Sequence, residues 1–145
     1  NTPMDQVLVT LKLLGLIEHD LITLKEYCEL ASRASRVTIP PGYPVFGSDA
    51  FRTATGVHAA AVIKAFKKGE TELANTVYSG VPSHLFGLEQ IIDIGPMSGK
   101  SNVVFWLEKR GIQVTADRVS AIYNRAKQSD RLLTTEEVLD AIHVA

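Results

Sequence analysis

His58 is the residue of this sequence whose side chain is best suited to move a proton. It lies in a predicted helix rich in Ala, Val and Ile, two residues after Gly56, which allows a tight turn at the helix start. An imidazole exchanges a proton near neutral pH, and the first turn of a helix faces open space. Considered alone, such a histidine is more often a packing residue, so the surrounding sequence has to decide between the two interpretations.

Tyr78 is the second residue that could take part in chemistry. The segment 71–88 around it shows little helical or strand periodicity, which predicts a loop with at most a short turn around 83–86. Loops of this length in compact domains are often functional. A phenol there is a rigid hydrogen-bond donor that could reach a ligand.

The segment Gly95–Ser101 is similar to a phosphate-binding loop, because a glycine-rich turn lies between a predicted strand and a predicted helix. That loop needs four residues between its glycines, whereas three are present here and Pro96 removes one amide donor. A nucleotide site is therefore disfavoured. The helix start with Ser98, Lys100 and Ser101 could still hold an anion, although a solvated cap is the simpler interpretation.

The remaining candidates have simpler interpretations. His19, His84 and His143 have no partner at the spacing of a metal site and are interpreted as surface residues. Cys28 has no neighbouring cationic run and is interpreted as a small buried residue.

The composition excludes several classes of partner. The chain has 145 residues, 46% of them hydrophobic, which is enough for one domain with a buried core. Its 15 basic and 16 acidic residues are scattered, so we expect no nucleic-acid partner. The apolar runs are too short to cross a membrane, and no segment has the pattern of a secretory signal. The single cysteine excludes an internal disulfide, and we expect a cytoplasmic protein.

Hydrophobic periodicity predicts a mainly α fold with at most one short β element. Two helices open the chain, and each has apolar residues expected to face a core. Those of the first helix are Met4, Val7, Leu8, Leu11 and Leu14. Those of the second helix, which begins at Thr23, are Leu24, Tyr27, Leu30, Ala31 and Ala34. The pairs Thr23/Glu26 and Thr134/Glu137 have the spacing of capping boxes.

The rest of the sequence predicts a third helix that carries His58 and ends near Lys68, a strand at 89–94 and three later helices. Near the start, Thr2, Pro3 and Asp5 already have the pattern of a helix N-terminus, so we expect a piece of a longer protein. Segment 3–17 is apolar on nearly every side, which predicts an exposed apolar face that drives association.

Three segments resemble motifs of the 2-isopropylmalate and homocitrate synthase family, in the same order. Residues 1–9 resemble the start of the last barrel helix of that family, which follows a Gly-Glu-Arg-x-Gly-Asn loop. Residues 51–58 resemble its Phe-x-x-x-x-Gly-x-His segment, and residues 94–100 resemble its Leu-Gly-x-x-Ser-Gly-Arg/Lys turn. The resemblance covers nearly the whole chain. It implies the C-terminal part of an enzyme that condenses acetyl-CoA with a 2-oxo acid on a metal-dependent TIM barrel.

The resemblance implies roles for three residues. Asn1 stands where the barrel-loop Asn of the family approaches or ligates a divalent metal (Mg, Mn or Zn). His58 stands where a family His is implicated in removing a proton from the acetyl methyl of acetyl-CoA, and Tyr78 where a Tyr assists that step. Both are delivered to the barrel of the other subunit, so the implied partner is the TIM-barrel domain in a homodimer. A weakly acidic methyl needs a nearby base, which agrees with these roles.

The family architecture also implies a division of the chain. Residues 1–20 would be the last helix of a barrel missing from this sequence, 21–70 a first helical subdomain, 71–88 a loop and 89–145 a second helical subdomain. The metal Asp, the catalytic Arg and the His-x-His pair of the barrel are absent. With at most one metal ligand, the isolated chain is expected to bind no metal or cofactor alone and to be inactive.

The preferred hypothesis is part of a 2-isopropylmalate synthase, which acts on 3-methyl-2-oxobutanoate in leucine biosynthesis. A homocitrate or citramalate synthase is the alternative, because barrel residues outside this sequence set most of the choice of 2-oxo acid. A hypothesis from a different class is a non-catalytic helical module for dimerisation or docking.

Overall fold

The computed structural model describes residues 2–143. This part of the chain forms seven α-helices, one 3-10 helix and two short strands. The α-helices are α1 (Met4–Leu13), α2 (Leu24–Ser35), α3 (Gly56–Lys67), α4 (Thr71–Thr76), α5 (Lys100–Lys109), α6 (Ala116–Lys127) and α7 (Thr135–His143). The strands are β1 (Arg52–Thr53) and β2 (Ile91–Ile92), and the 3-10 helix is Ser83–Phe86.

The two strands form one small parallel sheet, in which Arg52 lies opposite Ile91 and Thr53 opposite Ile92. The prediction of a mainly α fold with at most one short β element is confirmed. The strand expected at 89–94 is only two residues long, Ile91–Ile92.

The described residues are divided between two compact units. The first contains the chain up to Phe51 together with Ser79–Gln90, and thus α1, α2 and the 3-10 helix. The second contains Arg52–Tyr78 and the chain from Ile91 onward, with the sheet and the other five α-helices. The division that the family resemblance implies, with a barrel helix at 1–20, stays a prediction.

In the first unit, fewer helix residues are buried in the core than the hydrophobic periodicity predicts. Its buried residues are Val9, Leu21, Leu24, Cys28, Val45, Phe46 and Phe86. The inward set predicted for α2 is wrong except for Leu24. The exposed members of that set are Tyr27, Leu30, Ala31 and Ala34. The i, i+4 pair Leu24 and Cys28 faces the core instead, because the chain packs on one narrow side of α2.

Helix α1 behaves in the same way. Val9 is buried, whereas Met4, Val7 and Leu14 of the predicted inward set are exposed. The exposed large apolar residues of this end of the chain are Met4, Val7, Leu13, Leu14 and Leu16. An apolar surface is therefore present at 3–17, and its role in association stays a prediction.

The second unit has two hydrophobic clusters that share α5. One lies between α5, α6 and α7 and contains Ile94, Val103, Trp106, Leu107, Val119, Ile122, Ala126 and Val138. The other joins α3 and β2 to α5 and contains Ala59, Val62, Ile63, Ile92 and Phe105. Because α5 is buried on two sides, it fixes the position of α3 relative to the later helices.

The segment predicted as a loop at 71–88 contains a helix. Helix α4 occupies Thr71–Thr76 and packs against α3, with Ala74 buried at 1% exposure. A helix of six residues is too short to show a clear period in the sequence, and contact with α3 stabilises it. The short turn predicted around 83–86 is confirmed as the 3-10 helix.

The two predicted capping boxes have opposite outcomes. Thr134 and Glu137 form the expected capping box, since each backbone N–H donates to the side chain of the other residue, at 2.8 and 3.2 Å. The Thr115 hydroxyl also caps α6 by accepting from the backbone N–H of Arg118. The capping box predicted at Thr23 is wrong, because Thr23 has a ψ of 0° and makes no side-chain cap bond.

Candidate functional site

His58 lies in the first turn of α3 and is exposed. The buried side of this helix is formed by Ala59, Val62 and Ile63, and the exposed His58 lies at the border of that side. The N-cap residue Thr55 has an extended backbone, which brings the chain into the helix at a sharp angle. The interpretation of His58 as a packed core residue is therefore excluded.

Tyr78 meets His58 at the end of α4. The two rings lie with their centroids 4.2 Å apart and their planes inclined by 36°. Tyr78 keeps 50% of its surface exposed. Helix α4 packs on α3, which brings two residues twenty positions apart into contact. The structure thus joins two of the three residues singled out in the sequence.

The third residue, Asn1, lies outside the described residues. Among residues 2–143, no group of three or more His, Cys, Asp or Glu side chains is arranged to hold a metal ion. The described part of the chain therefore does not fit a metal site of its own.

The start of α3 is held by a buried polar cluster, here called the clamp, formed by Ser98, Asn102 and the backbone around them. Asn102 is fully buried, and its Nδ2 donates to the carbonyl oxygens of Ala54 and Asp93, both at 3.0 Å. Its Oδ1 accepts from the backbone N–H of Gly99 at 3.2 Å. The Ser98 hydroxyl donates to Ala54 O at 2.8 Å and accepts from Gly95 N–H at 2.9 Å. The carbonyl just before the N-cap of α3 is thus bonded twice.

Gly56 brings the helix start into direct contact with the turn 95–99. Its N–H donates to Met97 O at 2.9 Å. A Cβ added at Gly56 would lie 2.7 Å from the backbone nitrogen of Gly99, a distance that requires the backbone to shift. This position therefore needs a glycine because the two backbones approach so closely.

An ion pair joins the ends of the two strands beside the clamp. The Arg52 guanidinium donates to both carboxylate oxygens of Asp93, at 2.9 and 2.8 Å. Asp93 also supplies the carbonyl that Asn102 binds, so this pair and the clamp stabilise the same strand end.

The phosphate-loop interpretation of 95–101 does not fit this geometry. The N–H groups of Gly95, Ser98 and Gly99 are all donated within the turn or to Asn102. A phosphate loop needs such amides free to surround the anion. The turn instead connects β2 to α5 and supports the start of α3.

Cys28, His19 and His143 agree with their simpler interpretations, whereas His84 is half-buried and not the surface residue expected. Cys28 is buried in α2, and burial together with the neighbouring Asp5 carboxylate raises the pKa of its thiol to about 11. His19 and His143 are exposed, and His84 lies half-buried in the 3-10 helix. None of the helices within residues 2–143 combines the length and apolarity that crossing a membrane requires.

Sequence reasoning missed Asn102. The signal for it was weak, since one Asn three residues after Gly99 is also an ordinary residue of a first helical turn. Its contacts with Ala54 span 48 positions along the chain, which no local pattern shows.

Several synthases are similar to this chain. A "Probable 2-isopropylmalate synthase" of Methanopyrus kandleri is 34% identical over 130 residues, which are 88% of this chain and 24% of that protein. A "Homocitrate synthase" of Pyrococcus horikoshii is 26% identical over 88% of this chain and 33% of its own length. An "(R)-citramalate synthase" of Methanocaldococcus jannaschii is 26% identical over 88% of this chain and 25% of its own length. No family model matches the chain.

These three relatives are all named as synthases, and each match covers 88% of this chain. The chain belongs to the 2-isopropylmalate, homocitrate and citramalate synthase family. It spans about a quarter to a third of the length of the relatives named here.

Proposed function

We propose that this chain is a segment of a 2-isopropylmalate synthase and supplies His58 and Tyr78 to the removal of a proton from acetyl-CoA. The observation that carries the proposal is the ring contact at 4.2 Å between two exposed side chains that could each take part in acid–base chemistry. An exposed imidazole that a second ring orients is an arrangement suited to a base that works on a substrate from outside the segment.

The chemistry assigned to His58 is simple. A ring nitrogen of the neutral imidazole takes one proton from the acetyl methyl, and the electron pair of the broken C–H bond forms the enolate of the thioester. The enolate carbon attacks the carbonyl carbon of the 2-oxo acid, whose oxygen takes up a proton from solvent and becomes a hydroxyl, while the imidazolium returns its proton to solvent. Water then hydrolyses the thioester to a carboxylate and releases CoA. Tyr78 packs on the imidazole and limits its orientations, and its phenol is a hydrogen-bond donor at the same surface.

The remaining machinery is proposed to lie elsewhere in the enzyme. The described residues offer no metal-binding group, so we place the divalent metal that would polarise the 2-oxo acid on a TIM-barrel domain outside this segment. We propose that the barrel belongs to the second subunit of a homodimer. The exposure of both His58 and Tyr78 supports this arrangement, because each can be reached by another chain.

The choice of 2-oxo acid is part of the proposal. We propose 3-methyl-2-oxobutanoate as the 2-oxo acid, and thus leucine biosynthesis, because one 2-isopropylmalate synthase relative has 34% identity to this chain. Steady-state assays of the full-length enzyme with 3-methyl-2-oxobutanoate, 2-oxoglutarate and pyruvate decide among the three. The highest kcat/KM identifies the substrate.

A docking module is the second candidate function. It is favoured by the apolar surface of the first unit, where Leu14 and Leu16 are exposed at 66% and 67% and Leu30 at 59%. Surfaces of this kind are common at protein–protein contacts. The two functions differ in what His58 does.

The substitution His58→Gln in the full-length enzyme separates the two functions. A catalytic base predicts a fall in kcat of roughly a hundredfold or more, with the oligomeric state unchanged. Tyr78→Phe is expected to lower kcat by about tenfold, because it removes the hydroxyl and keeps the ring contact.

His19→Gln is the matched control, since His19 is exposed in the first unit and is expected to leave kcat unchanged. If His58→Gln keeps wild-type kcat, or if it dissociates the oligomer, the catalytic proposal is wrong and docking is the better account.

A further inference from the structure

We infer that Ser98 and Asn102 are positioning residues for His58, which hold the start of α3 so that the imidazole meets Tyr78 at the surface. Only the expected effect on turnover rests on the proposed function. The geometry that carries it lies wholly within the second unit.

The first turn of a helix is its least constrained part, because its N–H groups lack partners within the helix. A side-chain cap commonly fixes this end, but Thr55, the N-cap of α3, makes no such hydrogen bond. His58 lies three residues after Thr55. Some other contact must therefore set where the imidazole lies.

The clamp supplies that contact at two points. Ala54 O accepts from both Ser98 Oγ and Asn102 Nδ2, at 2.8 and 3.0 Å. Two residues further on, Gly56 N–H donates to Met97 O at 2.9 Å. The backbone is thus held on both sides of Thr55, immediately before the turn that carries His58.

The clamp is itself rigid. Ser98 and Asn102 are 2% and 0% exposed, and the Asn102 side chain uses its oxygen and its nitrogen together. Buried polar groups that are fully bonded have one favourable arrangement, because any displacement leaves a donor or an acceptor without a partner. Small displacements of a reacting group can cost about a hundredfold in rate, so a clamp of this kind controls turnover without contacting the substrate.

The test uses the full-length synthase with Ser98→Ala and Asn102→Ala. The expected result is a fall in kcat of about tenfold or more, with KM for the 2-oxo acid changed by less than about twofold. Ser120→Ala and Asn124→Ala are the matched controls, because both residues lie on α6 away from the clamp, and they are expected to leave both constants unchanged. If Asn102→Ala fails to fold, the milder Ser98→Ala carries the test.

A double-mutant cycle separates positioning from a general structural effect. If Ser98 acts through His58, adding Ser98→Ala to His58→Gln lowers kcat by less than about twofold. An equal fall in both backgrounds, or no fall in the single variant, overturns the inference.

A second readout separates failure of the inference from failure of the proposed function. In protein labelled with ¹³C at histidine Cε1, Ser98→Ala is expected to shift the signal of His58 and leave that of His19 in place. If His58→Gln keeps full activity, the proposed function fails while this spectral shift still decides the positioning inference. An unmoved His58 signal contradicts it.

Discussion

At the scale of single residues, the position of His58 on α3 explains both its exposure and its contact. The buried side of the helix is formed by residues one, four and five positions further along, Ala59, Val62 and Ile63. His58 lies at the border of that side, where the end of α4 presents the Tyr78 ring. A packed helix can therefore carry an imidazole without burying it.

Cys28 gives a prediction at this scale. Burial and the nearby Asp5 raise the pKa of its thiol from the ordinary 9.0 to about 11, so the thiol stays protonated at neutral pH. We predict that iodoacetamide modifies it at pH 8 about a hundredfold more slowly than an exposed thiol, and that the rate rises towards pH 11. Mass spectrometry of timed samples measures the rate. Modification at the rate of a free thiol at pH 8 would contradict this account.

The direction of the stability effect follows from the same shift. Folding raises the pKa of the Cys28 thiol, so the folded state favours the neutral thiol. The resulting contribution to the free energy of unfolding is complete below pH 9.0 and is lost as the pH rises towards 11. Asp5→Asn removes the neighbouring negative charge and keeps the burial. This substitution should therefore raise the alkylation rate of Cys28 only part of the way towards that of an exposed thiol.

At the scale of elements, helix ends are set by specific side chains. The start of α7 is fixed by Glu137. Its carboxylate accepts from Thr134 N–H at 2.8 Å and from the Arg131 guanidinium at 2.9 and 2.7 Å. The hydrogen bond from Arg131 has the larger effect and that from Thr134 N–H the smaller, and together they lower the pKa of Glu137 from 4.5 to about 2. The Glu137 carboxylate therefore stays charged in the folded state down to a lower pH than an ordinary glutamate does.

Glu137→Gln is predicted to lower the melting temperature at pH 7 by a few degrees at most, because Arg131 is exposed and water reaches part of the Glu137 side chain. A lowered pKa means that the contribution of Glu137 is complete above pH 4.5 and is lost as pH falls towards 2. The difference in melting temperature between wild type and variant should shrink over that range. Glu136→Gln is the control, since Glu136 lies in the same turn and is exposed. A difference that stays constant down to pH 2 would show that the carboxylate is not responsible.

The elements also show which features the sequence could predict. Thr134 and Thr23 are each followed by Glu three residues later, yet only the first pair forms a capping box. At Thr23 the packing of Leu21 and Leu24 in the core places the backbone in a turn, so tertiary contacts override the local signal. Tyr78 and His58 were identified from local patterns and from the family resemblance.

The contact between these two rings could not have been predicted without α4, and the clamp depends on a pairing of residues 48 positions apart. Long-range polar contacts of this kind leave little trace in one sequence. Ser98 belongs to the turn 94–100 that resembles a family motif. Its hydrogen bond to Ala54 O connects that turn to the start of α3.

At the scale of the whole molecule, the two units each have a core, and the first also exposes a large apolar surface. Leu14 and Leu16 are the most exposed apolar residues near the start of the chain. We predict that the isolated segment associates through them and that the double substitution Leu14→Lys with Leu16→Lys reduces association by at least about tenfold. Sedimentation velocity measures the effect.

Lys25→Ala is the control for that experiment, because it changes an exposed residue of the same unit that forms only a surface ion pair. Association that is unchanged in the double variant would show that another surface is responsible.

We propose that His58 removes a proton from the acetyl methyl of acetyl-CoA. The most direct measurement is the rate at which the full-length enzyme exchanges those methyl protons with deuterium oxide, followed by mass spectrometry of recovered acetyl-CoA. We predict that His58→Gln lowers this rate by about a hundredfold or more, while His19→Gln leaves it unchanged. Exchange at the wild-type rate in a folded His58→Gln enzyme would contradict the claim.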